Sequence, residues 1–292
     1  PAGMTAALYG LRNGKSVLVI EKAGFGGQIT YSPRVENIPG FAVISGNEFA
    51  DKFMEQILGQ GADVELEEVC EVIDEGDKKI VKTVEGSAFE SRTVIIAAGV
   101  KHRMLGLEGE NELVGEGISF CAVCDGDFYK GKTVCVAGGG NSAFVEAVLL
   151  ADKCEKVIML QDLPEFTADK KLQEDLFKHD NVLTYTDTKI LALIKERGEF
   201  AGVEIERKSS QEKRVIKCDG LFVAIGLIPQ NEPYAALADL NSYGYFDSAE
   251  DCKTKTPGIF VAGDCRSKKV RQVTTACADG AMAALAACDY LR

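Results

Sequence analysis

The stretch "KTVCVAGGGNSAFVEAVLLA", residues 132–151, constrains the fold more than any other part of the chain. An apolar run ends in Gly138, Gly140 and Ala143, spaced as G-x-G-x-x-A, and apolar residues then recur at helical spacing. A strand that meets a helix through such a turn is the core of a dinucleotide-binding unit. The first glycine lets the chain turn sharply, the second lets the backbone approach a pyrophosphate, and the small third residue lets the helix pack closely. Phosphates are then received by unsatisfied amides at the helix start, here around Asn141, Ser142 and Ala143. The run "KVIML" at 156–160 reads as the next strand of the unit, and Asp162 stands just beyond it.

Two further segments carry the same grammar. In "PAGMTAALYGLRNGKSVLVIEK", Pro1 and Gly3 open a helix, and "SVLVIE" at 16–21 is a strand ending in Glu21, where an acid binds a ribose hydroxyl. The first strand and the two leading glycines of that unit are expected immediately before Pro1. Near the other end, residues 258–287 read as a strand ending in Gly263 and Asp264, a loop, and an alanine-rich helix preceded by Arg271 and Gln272. The acid at the strand end and the polar pair ahead of the helix point to a bound cofactor rather than to packing alone.

With 292 residues the chain has room for about two domains. Hydrophobic residues make up 46% and charged residues 27%, the balance of a globular protein with its own core. A formal net charge of −12 opposes any approach to a phosphate backbone, so nucleic acid is excluded as a partner. Apolar runs such as 143–151 are broken well before the roughly 18 residues of a membrane span, and no secretory pattern opens the chain. No membrane partner and a cytoplasmic location are expected. Of the ten cysteines, eight are scattered singly and read as thiols of a reducing compartment.

Cys121 and Cys124 are the close pair, in "SFCAVCDGDFY" at 119–129, with Asp125 directly behind. Such a pair can hold a metal, brace a loop or pass electrons. A closed zinc site needs four ligands, and neither a second C-x-x-C nor paired histidines accompany it; His102 and His179 stand alone. No metal is expected, and the motif beside a dinucleotide fold favours redox chemistry. Asp125 has two readings, proton delivery to a sulfur or a turn-forming aspartate before Gly126.

Together, "GGQ" (26–28), "VENIPGF" (35–41), "IIAAG" (95–99), "CAVCDG" (121–126), "GGGNSA" (138–143) and "GIFVAGD" with "RQVTTACADGAMAA" occur in the order and spacing of the low-molecular-weight thioredoxin reductases. The chain resembles that family over essentially its whole length. The resemblance implies an α/β fold of two Rossmann-like domains, the second inserted into the first. An FAD domain would comprise 1–104 and 229–292, with an NAD(P)-type domain carrying the redox disulfide at 105–228. The Gly and Pro punctuation of 102–109 and 226–233 marks the joints independently.

By the same resemblance, Gly3, Glu21, Gly26, Gly27, Gln28, Asn37, Gly99, Gly263, Asp264, Arg271 and Gln272 would surround FAD. Glu21 would take the ribose, 26–28 would wrap the isoalloxazine edge, Asn37 would contact the flavin, Asp264 would hold the ribityl chain, and Gln272 would face the ring's N1 side. Cys124 would receive electrons at the flavin, and Cys121 would attack the disulfide of thioredoxin or a similar protein. The inserted domain would rotate about its two crossings, and the working form would be a homodimer.

The departure from the family lies at 157–169, "VIMLQDLPEFTAD". NADPH-dependent members carry a cluster of His and Arg where this chain has Asp162, Leu163 and Thr167. A 2′-phosphate would meet a carboxylate there, so NADPH is disfavoured. An acid about 20 residues beyond the glycines suits the free 2′-hydroxyl of NADH. Ferredoxin as donor, an FAD-dependent dithiol oxidase and, in a different class, a non-catalytic flavin redox sensor are the alternatives.

Overall fold

The computed structural model describes residues 1–32 and 34–292. The chain divides into two compact units, one of Pro1–Lys101 with Ile228–Arg292, the other of His102–Leu227. The crossings at 101/102 and 227/228 fall slightly ahead of the joints expected at 104 and 228. Just inside the second unit, Arg103 N–H donates to the Gly226 carbonyl at 2.9 Å. The loop that follows is held by buried Glu110, whose carboxylate accepts the N–H groups of Leu105, Gly106 and Leu107 at 2.8, 2.8 and 3.2 Å.

The unit His102–Leu227 is built on a five-stranded parallel sheet. From one edge to the other it contains Val182–Tyr185, Lys156–Leu160, Thr133–Ala137, Gly220–Val223 and Ile118–Ser119. The middle strands are apolar on consecutive residues because both faces are covered. Val134 and Val136 face the helices Asn141–Ala151 and Lys170–Leu176 in a cluster with Phe144, Leu150 and Met159. Cys135 and Ala137 point the other way, into a cluster with Val203 and Ile205 of the antiparallel sheet Thr188–Glu196, Glu199–Arg207 and Glu212–Lys217. Strand period two thus sends alternate residues of one short segment into two separate cores.

Cys135 and Cys218, far apart in sequence, are neighbours in the second of these clusters. Both remain free thiols, as expected, although adjacent elements bring them together. All eight cysteines outside the 121/124 pair are free thiols.

The unit formed by the two ends of the chain holds two parallel strand pairs, Leu18–Ile20 with Asp63–Glu65 and Val94–Ile96 with Ile259–Val261. A three-stranded antiparallel sheet, Val69–Asp74, Lys79–Thr83 and Ala88–Ser91, accompanies them. Helix Gly46–Leu58 starts at Ser45, whose Oγ accepts the Glu48 N–H at 3.1 Å. Helix Ala2–Arg12 packs against helix Val273–Tyr290 through small residues. Gly280 is the tightest point: a β-carbon there would lie 2.2 Å from the Ala2 carbonyl oxygen.

Gly280→Ala sets two effects in opposition. Helix propensity favours alanine by about 1 kcal/mol, while overpacking against backbone costs about 1–3 kcal/mol. The clash involves a main-chain oxygen that cannot swing aside, so a net loss of stability is expected. A lower urea midpoint at unchanged slope is the predicted result; an equal or higher midpoint would show that the two helices separate freely.

Candidate active site

Cys121 and Cys124 are joined in a disulfide. Strand Ile118–Ser119 leads the chain to it, and the single-turn helix Ala122–Asp125 spans it. Cys121 stands just ahead of that helix, and its Sγ accepts the Cys124 N–H at 3.2 Å. The Cys121 carbonyl accepts the N–H groups of Cys124 and Asp125 at 3.1 and 3.0 Å, so the backbone fixes the two sulfurs and the acid as one body.

The Asp125 side chain does not shape a turn before Gly126. Its Oδ2 accepts the Ser119 hydroxyl at 2.5 Å, and Ser119 Oγ in turn accepts the Cys121 N–H at 3.1 Å. Oδ1 is buried and has no partner. Burial pushes this carboxyl above the usual carboxylate range, and the Ser119 hydrogen bond offsets the shift only partly. His102, isolated in sequence, is brought onto the ring of Phe120, with centroids 4.3 Å apart. Burial lowers its pKa to about 4, so it is neutral at pH 7.

Sequence reasoning missed Glu146. It is the one charged residue on helix Asn141–Ala151, and an isolated charge in an apolar helix is the signal that would have found it. The helix packs against Ala122–Asp125. Glu146 Oε2 is buried without a partner, and burial together with the charge of Asp125 raises this carboxyl to about 8.

The glycine turn lies on the same unit. Gly138 has φ of 128°, and a β-carbon there would come within 2.4 Å of the Ala224 carbonyl oxygen, so the position is restricted to glycine. Gly140 precedes helix Asn141–Ala151, whose N-terminus no side chain caps, and Ala143 is fully buried beneath it. Ser142 is exposed. Two of the three polar side chains expected to serve a nucleotide are engaged within the chain. Asn141 Nδ2 donates to Asp169 at 2.9 Å while its Oδ1 accepts the Asp169 N–H at 2.8 Å. Asp162 pairs with Lys208 at 3.1 Å. The Gly139 carbonyl accepts the N–H groups of Thr167 and Ala168 at 2.8 and 3.0 Å.

In the other unit the residues expected around FAD fall into linked groups. Asp264 sits in the turn Gly263–Cys265 after strand Ile259–Val261; its Oδ1 is buried without a partner, and burial raises the carboxyl. Glu21 follows strand Leu18–Ile20, accepts the Ala23 N–H at 3.1 Å, and lies with Asp264 near the Pro1 nitrogen. A β-carbon on Gly3 would lie 3.5 Å from that of Ala97. Gly26 and Gly27 enter the 3-10 turn Gly27–Tyr31, from which the Gln28 amide donates to the Val100 carbonyl beside Gly99. The buried Cys265 thiol lies beside the backbone of Gly99 and donates to the Ala262 carbonyl at 3.1 Å. Asn37 Nδ2 donates to Gln272 Oε1 at 3.0 Å, joining positions 235 residues apart at the start of helix Val273–Tyr290. Residues 36–42 line a groove of about 460 Å³.

Arg271 braces the turn from within: its guanidinium lies 4.3 Å from the Tyr245 ring centre, and Nε donates to the Asp264 carbonyl at 3.3 Å. A second support went unread in the sequence. Asp279 accepts the Gly263 N–H at 3.0 Å and pairs with Arg266 at 2.8 Å and Lys268 at 2.9 Å, all three side chains largely buried. Asp279 stands among small residues of its helix, ten positions ahead of the helix's second acid, Asp289.

An orphaned acid oxygen after one strand, glycine-rich turns beside it and a polar pair at a helix start suit a group rich in hydroxyls and ring nitrogens, and FAD fits them. At the second turn the backbone cradle suits a pyrophosphate, whereas the ribose acceptor is already paired.

Comparison with known proteins agrees with this geometry. Residues 1–280 match the family model described as pyridine nucleotide-disulphide oxidoreductase. A thioredoxin reductase of Bacillus subtilis (strain 168) is 39% identical over 292 residues, covering 100% of this chain and 92% of that protein. A 34.2 kDa protein in a rubredoxin operon of Clostridium pasteurianum is likewise 39% identical over 292 residues, covering 100% and 94%. The crystal structure of thioredoxin reductase from Streptococcus pyogenes MGAS5005 matches with a TM-score of 0.93 at 36% identity, covering 100% of this chain and 95% of that one. The chain belongs to the pyridine nucleotide-disulphide oxidoreductase family, among the low-molecular-weight thioredoxin reductases.

Proposed function

We propose that the protein is a flavin-dependent disulfide oxidoreductase that takes electrons from a reduced donor and delivers them through Cys121 and Cys124 to the disulfide of thioredoxin. The observation that carries this reading is the disulfide with a buried, partly unpartnered carboxyl locked to its backbone. Thiol exchange needs a proton source beside the sulfur, and that acid supplies one.

FAD, when bound, supplies two-electron chemistry between the donor and the disulfide. The chain's own residues would hold it in three places. Asp264 would accept from the ribityl hydroxyls, supported by its orphaned Oδ1, and Glu21 would take the ribose, supported by its place at a strand end. Gly3, Gly26, Gly27, Gln28, Gly99 and Gly263 would line the close approaches. Asn37 and Gln272 would face the ring, where the positive end of an 18-residue helix stabilises negative charge on the reduced form. Arg271 and Asp279 would position this frame from behind.

At the disulfide, Cys121 is the better attacking thiolate once reduced, because the Cys124 N–H already points at its sulfur at 3.2 Å. Cys124 resolves the mixed disulfide. Asp125 delivers a proton to a departing sulfur.

For the donor, NADH is favoured over NADPH. Asp162, Leu163 and Thr167 offer no cation to a 2′-phosphate, and Lys208 is neutralised by Asp162. That pair is exposed, with side chains 41% and 61% accessible. Such pairs are worth only about 0–1 kcal/mol, so Asp162 can exchange Lys208 for a ribose hydroxyl at little cost. A protein donor such as ferredoxin is the second reading, favoured by the clamp of Asn141 on Asp169 across the glycine turn.

Two outcomes test this. Cys121→Ser should stop turnover with thioredoxin while the bound flavin remains reducible by the donor; undiminished thioredoxin turnover would remove the dithiol mechanism, and oxygen uptake with no thioredoxin turnover in the unsubstituted protein would make it an oxidase. In anaerobic stopped-flow, NADH should reduce the flavin faster than NADPH at saturation. Equal rates would show that the missing cations are irrelevant, and reduction by ferredoxin alone would establish the second reading.

A further inference from the structure

Glu146 has no role in the chemistry described so far, yet its placement is costly. One carboxyl oxygen, Oε2, is buried with no partner, while the residue as a whole keeps some contact with solvent. Asp125 has the same feature at Oδ1, and the two residues lie on helices that pack against each other. Two orphaned carboxyl oxygens on adjoining helices, with the disulfide on one of them, are hard to explain as packing. Burying an unpaired carboxylate costs several kcal/mol, a penalty removed when the group holds a proton.

We propose that Glu146 holds the proton that Asp125 passes to the departing thiolate, the two carboxyls forming a relay from solvent to the Cys121–Cys124 pair. This rests on the disulfide-exchange reading above.

The charge distribution supports the direction of the relay. Charged residues on the elements packed against the Glu146 helix are Asp125, Lys156, Lys170, Lys171, Glu174 and Asp175. Of these, Asp125 alone acts on the Glu146 charge, and its negative charge raises the Glu146 carboxyl, with burial, to about 8. Burial raises the Asp125 carboxyl as well, so it too holds its proton more tightly than a surface acid does. At pH 7 Glu146 is on the protonated side of its midpoint and so holds a proton.

The exchange then balances. Cys121 thiolate bonds to one sulfur of the substrate disulfide and the substrate S–S bond breaks. The first departing sulfur takes a proton from Asp125, which is resupplied by Glu146. Cys124 gives up its proton to the second departing sulfur as it attacks Cys121 and re-forms the Cys121–Cys124 bond. Two electrons leave the dithiol, two thiols are released, and solvent returns one proton to Glu146. Because Glu146 is protonated below about pH 8 and ionised above it, transfer should weaken as pH rises through that value.

The test uses protein whose disulfide has been reduced chemically and freed of reductant, so neither donor nor flavin turnover is involved. Glu146→Gln keeps the shape and removes the proton. Single-turnover reduction of thioredoxin and of glutathione disulfide should slow by about 10²-fold, the low end for a lost proton donor, and the decline above pH 8 seen in the unsubstituted protein should disappear. An aromatic disulfide such as 5,5′-dithiobis(2-nitrobenzoate), whose thiol leaves as a stable anion, needs no proton and should react at the unsubstituted rate. Equal slowing of all three substrates would mean that Glu146 only supports the fold, and no slowing of any would mean that it holds no useful proton; either result overturns the relay. Failure with thioredoxin but success with glutathione disulfide in the unsubstituted protein would instead overturn the choice of partner, leaving the small disulfides to decide the relay.

Discussion

The hydrogen bond from Ser119 to Asp125 holds the reactive end of the molecule together. Ser119 closes the edge strand of the parallel sheet, donates to the Asp125 carboxylate, and accepts the Cys121 N–H. A single hydroxyl thereby ties the sheet, the first cysteine and the acid into one rigid group. Without it Asp125 would lose its side-chain hydrogen-bond partner and a buried carboxylate would stand with both oxygens unmet, a penalty of several kcal/mol if it remained charged. Placing an acid where it is reluctant to ionise is what gives a thiol pair access to a proton at neutral pH.

The sheet makes that arrangement possible. Its central strands are buried on both faces, so Ile118–Ser119 joins a platform whose position is fixed by two cores rather than one. The helix after the glycine turn packs on the same platform, and this brings Glu146 to the disulfide helix. The nucleotide-type turn and the redox pair are therefore parts of one mechanical object.

Much of this was legible in the sequence. The strand 156–160, the turn at 138–143 and the pair at 121 and 124 follow from local patterns whose physics is short-range: hydrophobic alternation, glycine at an otherwise forbidden conformation, two thiols one helical turn apart. What was not legible depends on contacts between remote segments. Asn37 meets Gln272, Cys135 meets Cys218, Arg266 and Lys268 converge on Asp279, and Asp162 is taken up by Lys208. Glu146 and Asp279 lie between these cases. Each is an acid flanked by apolar or small residues of its helix, a pattern visible in the sequence, but its meaning emerges only when the partner across the fold is known.

The central claim is that Cys121 is the sulfur that meets the disulfide of thioredoxin. Trapping tests it most directly: a Cys124→Ser variant is incubated with an oxidised thioredoxin activated at its own attacking cysteine and lacking its resolving one, and the cross-linked species is digested and read by mass spectrometry. A mixed disulfide through Cys121 is the predicted product. Linkage through the exposed Cys70, or no covalent complex at all, would contradict it.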